Sequence, residues 1–144
     1  MSRSGVPRRG FSLPELLLAL VIAGVATAVG VRQMRHWLDR TATRAAAQEA
    51  ALAIGRARDE ALARDAVVAL RVDTLFGTIA LTSAGERLAL YALAHEHGVR
   101  LSVTRDSIAF DVRGLGYGAA NLTLVARRGD AADTVVVSRL GRTR

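Results

Sequence analysis

His95, Glu96 and His97 stand consecutively, and on a strand the two imidazoles would project to one face, as two ligands of a metal ion do. No third ligand is identifiable from spacing, and Gly98 follows at once, so the triplet reads as a polar turn and no metal is expected. Gly114-Leu115-Gly116-Tyr117-Gly118 has the glycine density of a phosphate loop, but no strand–loop–helix context follows, which makes it an inter-strand turn. Asn121-Leu122-Thr123 matches a glycosylation sequon yet falls in an expected strand. The absence of cysteine excludes disulfides, thiolate zinc sites, iron–sulfur clusters and Cys nucleophiles. No nucleophile–base pair is readable from spacing, so neither an enzyme nor a cofactor is expected. Two features remain. One is Glu15, a single carboxylate inside an apolar run. The other is a C-terminal cluster of Arg139, Arg142 and Arg144, with Arg127-Arg128 one hairpin earlier. Clustered guanidinium groups suit phosphate contacts and counterion release; the plainer reading is a solvated basic tail that closes the last strand.

The elements that carry these residues divide the chain unequally. Its 144 residues allow one domain with an appendage, and 51% apolar against 23% charged residues excludes a disordered chain. From Phe11 to Val31 the sequence is FSLPELLLALVIAGVATAVGV, with Glu15 its only charge. As a helix this run spans roughly 31 Å, close to the hydrocarbon core of a bilayer. An Ala-rich stretch follows, in which Ala47, Ala50, Ile54, Ala57 and Ala61 recur at 3-4 spacing and share one face. Arg44, Gln48, Arg56 and Asp59 lie opposite, and Glu60 pairs with Arg64 one turn on. Without an intervening proline, one long helix is expected from about Leu13 to Asp65, with Pro14 in its first turn. Small residues four apart, Ala19 and Ala23, Gly24 and Ala28, Ala26 and Gly30, permit close helix approach.

Beyond Asp65, short β-type runs separated by turn residues replace the helical period. Strands are expected at Val67–Val72, Thr78–Leu81, Leu88–Leu93, Val99–Thr104, Ile108–Val112, Leu122–Ala126 and Thr134–Ser138. These 79 residues are few for an independent core, so the small-residue helix face is the expected partner of the sheet.

Three physical readings compete for the N-terminus. Ala26-Thr27-Ala28 is an A-x-A-like signal-peptidase site, which would release a soluble β-domain. Arg8-Arg9-Gly10-Phe11 offers a twin-arginine pair. The third reading is a helix that stays in the membrane and is processed after Gly10. Glu15 favours the third. A carboxylate among apolar residues is costly, a cleaved signal gains nothing from it, and a retained helix can pair it with the α-amine of a neighbouring copy cut before Phe11.

Arg9-Gly10 followed by Phe11-Ser12-Leu13-Pro14-Glu15-Leu16-Leu17 resembles the type III signal of type IV pilins and type II secretion pseudopilins. Leu52, Ala57-Arg58, Glu60-Ala61, Val67 and the closing Val135-Val136-Val137-Ser138 with Gly141-Arg142 are similar to the GspH/FimT subgroup. The resemblance implies an α+β, pilin-like fold, with a long N-terminal helix docked on two small antiparallel sheets. It implies a leader at 1–10, a transmembrane helix at 11–31, its amphipathic extension at 32–65 and a periplasmic β-domain at 66–144. It also implies that a prepilin peptidase cuts between Gly10 and Phe11 and N-methylates Phe11, and that Glu15 serves subunit assembly in the inner membrane. Loss of the leader removes three Arg and leaves 17 basic against 13 acidic residues, or +4. The partners implied are other minor and major pseudopilins of a hetero-oligomeric filament. Gly141-Arg142-Thr143-Arg144 resembles the tail of FimT-type minor pilins, so the alternative partner is DNA, bound through Arg139, Arg142 and Arg144.

Overall fold

A computed structural model describes residues 12–117 and 121–138. Helix α1 runs Leu13–Arg64, and contacts divide the chain into two units, Met1–Arg35 and His36–Arg144. In the first unit α1 is apolar on all sides: Leu16, Leu17, Leu18, Leu20, Val21 and Ile22 follow one another around the helix, and all are exposed. This segment of α1 is long and apolar enough to cross a membrane.

In the second unit α1 turns one face inward. Thr43, Ala46, Ala47, Ala50, Ala53, Ile54, Ala57 and Ala61 are buried, while Arg44, Gln48, Arg56 and Asp59 are exposed as expected. The Arg64 guanidinium donates to Glu60 Oε2 at 2.8 Å, the expected i,i+4 pair. The helix ends in left-handed Asp65 (φ 49°), with the Ala66 amide donating back to the Ala61 carbonyl.

Strands β1 (Val68–Asp73), β2 (Thr78–Ser83), β3 (Glu86–Tyr91), β5 (Ser107–Phe110) and β6 (Gly116–Tyr117) make one antiparallel sheet in the order β3-β2-β1-β5-β6. Strands β4 (Arg100–Val103), β7 (Leu122–Arg128) and β8 (Ala131–Val137) make a second, in the order β4-β7-β8. Alternation fixes which side of each strand faces the core. Val68, Leu70 and Val72 of β1 point inward beside Ile79 and Leu81 of β2, and Leu122, Leu124 and Ala126 of β7 beside Val135 and Val137 of β8. Phe110, paired across the ladder with Val68, is fully buried. A register slip by one residue would expose every one of these side chains.

Two expectations need correction. Leu93 does not end a strand: β3 stops at Tyr91, and Leu93–His97 form a one-turn helix, α2, whose first residue is fully buried. His95-Glu96-His97 therefore lie on helix rather than in a plain turn. The glycine-rich turn is also shorter than expected, because Gly116–Tyr117 pair with Phe110 and Ala109 as an edge strand. The seven expected strands otherwise match β1–β5, β7 and β8 to within a few residues.

Candidate functional site

Helix α1 begins where its sequence dictates. Ser12 precedes the first helical residue and its carbonyl accepts the Leu16 amide at 3.1 Å, closing the first turn. Pro14 sits in that turn, where its missing N–H breaks no helical bond. Glu15 lies in the same turn and is exposed. Ser12 and Glu15 have the Ser-x-x-Glu spacing of a capping box, yet neither reciprocal side-chain bond forms among the described residues. The Glu15 carboxylate thus stands at the positive end of the helix dipole, surrounded in sequence by leucines. Gly10 and Phe11, the expected processing site, lie outside the described residues, as do Arg139, Arg142 and Arg144.

The small residues of this segment are open to approach. A Cβ added at Gly24 or Gly30 would meet nothing within 4 Å, so neither glycine serves packing among the described residues.

In the second unit, side chains far apart in sequence join α1 to the β-strands. Asp39 Oδ1 forms an ion pair with Arg128 Nε at 3.1 Å, and Arg128 Nη1 donates to the His97 carbonyl at 2.8 Å. Arg128 is thereby tied to both α1 and α2, although it is exposed, as is Arg127 beside it. His97 Nε2 meets Glu49 Oε2 at 2.6 Å. Glu49, Glu96 and His97 bring three donor atoms within 4.8 Å of one another. Spacing alone had left His95-Glu96-His97 without a third ligand, and topology supplies Glu49, 48 residues upstream. The one available signal was Glu49's place on the rim of the alanine face.

Elsewhere the carboxylates serve turns and the helix surface. Asp111 Oδ1 accepts the amides of Leu115 and Arg113, each at 2.9 Å, which holds its carboxyl below the ordinary value. The Arg64 hydrogen bond similarly lowers Glu60.

Comparison with known proteins bears on the whole chain. The family described as Type II transport protein GspH matches residues 46–141, and the prokaryotic N-terminal methylation motif matches residues 7–31. The pilin-like protein PilA1 of Thermus thermophilus is 33% identical, the match covering 95% of this chain and 97% of that protein. Among solved structures, the type IV minor pilin FimU of Pseudomonas aeruginosa superposes with a TM-score of 0.61 at 15% identity, over 73% of this chain and 88% of FimU. A second crystal form of FimU gives 0.57 over 70% and 90%. At that identity the likeness is one of fold.

Proposed function

Since the chain belongs to the GspH family of pilin-like proteins and carries a prokaryotic N-terminal methylation motif, we propose that it is a minor pseudopilin of a type II secretion system. In this reading it is a structural subunit of the pseudopilus tip and supports protein export. Residues 1–10 are the leader removed by prepilin peptidase between Gly10 and Phe11, and the Phe11 amine is methylated. Residues 11–31 anchor the subunit in the inner membrane, 32–65 extend the helix, and 66–144 stand in the periplasm. The observation that carries the proposal is the make-up of α1. One helix bears Glu15 in its first turn, an apolar run, and the alanine face that meets the strands of the GspH-matched region.

Glu15 supplies the assembly chemistry. Its carboxylate is costly to hold among lipid tails, and the Phe11 α-amine of an adjacent subunit offsets that cost by pairing with it. Insertion into the filament is thereby favoured over free diffusion in the membrane. Glu15→Ala should be processed normally but fail to enter the filament and to support secretion. Normal assembly and secretion by that variant would overturn the pairing.

A second reading, a FimT-like minor type IV pilin that binds DNA for uptake, is favoured by the C-terminal tail. Arg142 and Arg144 lie beyond the family match, which ends at residue 141. The discriminating assay is DNA binding by a fragment from Gln33 onward across a salt series, beside Arg142→Ala/Arg144→Ala. Binding that weakens steeply with salt and is lost in the double variant selects DNA uptake. No binding at low salt selects secretion.

A further inference from the structure

We propose that Glu49, Glu96 and His97 form a zinc site that fastens α1 to the segment joining the two sheets. The donor atoms are one imidazole nitrogen and two carboxylate oxygens, drawn from two elements and lying within 4.8 Å of one another. Glu49 and His97 are each about three-quarters buried, their side chains 24% and 22% exposed, while Glu96 is open to solvent.

The backbone carrying the donors is already fixed. Glu49 is flanked on α1 by Ala46, Ala50 and Ala53, all fully buried. Helix α2 is held at four points. Leu93 is buried in the core, the Ala94 amide donates to the Gly77 carbonyl at 3.0 Å, left-handed Gly98 caps the helix through the Ala94 carbonyl, and Arg128 holds the His97 carbonyl. Sites on rigid elements lose little entropy when they close on an ion.

Donor chemistry selects the ion. Zinc takes imidazole nitrogen at ~2.0–2.1 Å and carboxylate oxygen at ~2.0–2.2 Å in tetrahedral geometry, which sets donors roughly 3.3–3.4 Å apart. The 2.6 Å His97–Glu49 contact would open by under ~1 Å, and the exposed Glu96 side chain would swing in. Two carboxylates neutralise the dication, and imidazole binds as the neutral base through Nε2 with its proton on Nδ1. Three protein donors leave the fourth position for water. Calcium and magnesium, which prefer six or more oxygen ligands, fit poorly. The Arg128 guanidinium, which donates to the His97 carbonyl, is itself paired with Asp39.

The inference is independent of the secretion reading, and its test needs no filament. The full chain, without a histidine tag and in detergent, is titrated calorimetrically with zinc chloride and melted with and without the ion. One zinc should bind per chain, and the midpoint should rise by on the order of 10 °C at a hundredfold excess over Kd. His97→Ala should abolish the shift. Glu96→Gln, an exposed change that leaves the fold intact, should weaken binding about tenfold or more. His95→Ala should bind as the parent does, because His95 lies outside the cluster. Absence of saturable zinc binding, equal loss in His95→Ala and His97→Ala, or an equal midpoint rise with calcium chloride would each overturn the site.

Discussion

Gly77 sits at the end of the β1–β2 turn with φ 61°, buried against α2, and a Cβ placed there would collide with the Ala94 methyl. Two costs therefore add in Gly77→Ala. The left-handed backbone costs an alanine about 1–2 kcal/mol, and forcing a methyl into a filled contact costs about 1–3 kcal/mol. Gly85 provides the control, because it is left-handed at φ 84° but meets nothing within 4 Å. Gly85→Ala should show the backbone cost alone. Urea unfolding of the His36–Arg144 unit, followed by far-UV circular dichroism, measures both. Gly77→Ala should lose about 2–5 kcal/mol and Gly85→Ala about 1–2 kcal/mol. Ala94→Gly removes the methyl that collides, so in the Gly77→Ala background it should restore about 1–3 kcal/mol relative to its effect alone. If the coupling falls within about 0.5 kcal/mol of zero, or if Gly77→Ala is no worse than Gly85→Ala, the turn does not rest on α2 as described.

Three further expectations rest on other parts of the second unit. Ala84 occupies the hairpin between β2 and β3 at φ 49° ahead of Gly85, so Ala84→Asn, which creates the favoured Asn-Gly turn, should raise stability by about 1 kcal/mol in the same assay. Ala50 is fully buried on α1, and Ala50→Leu should lose about 1–3 kcal/mol, whereas Gly55→Ala, with open space at its Cβ, should gain about 0.5–1 kcal/mol. The folded Asp111 carboxyl lies below its ordinary value because the Leu115 amide binds it, so its contribution is present above the unfolded value and lost as pH falls through the folded one. Asp111→Asn should therefore be the less stable protein at neutral pH and converge with the parent in acid, as read from thermal midpoints across a pH series.

The helix and its two faces were legible because their signals are local. The apolar run, the 3-4 recurrence from Ala47 to Ala61 and the missing proline fix α1 to within a residue of its observed end. The strand positions followed from alternation and turn residues, again short-range information. Helix α2 was not legible: five residues cannot display a helical period, and a buried Leu93 reads equally as a strand end. Which strands share a sheet was also hidden, since β1 pairs with β5 across more than 30 residues of intervening chain. The same limit concealed Glu49 beside His97 and Asp39 beside Arg128, pairs that only topology brings together. At the N-terminus the position was reversed. Glu15 stood out in the sequence as the single charge of the apolar run, and the structure adds its place in the first turn of α1.

The most direct measurement of the central claim is the intact mass of the membrane-associated protein from cells that contain a prepilin peptidase. The account expects a chain that has lost residues 1–10, begins at Phe11 and carries one added methyl group. A product that begins after Ala28, without a methyl group and released from the membrane, would contradict it.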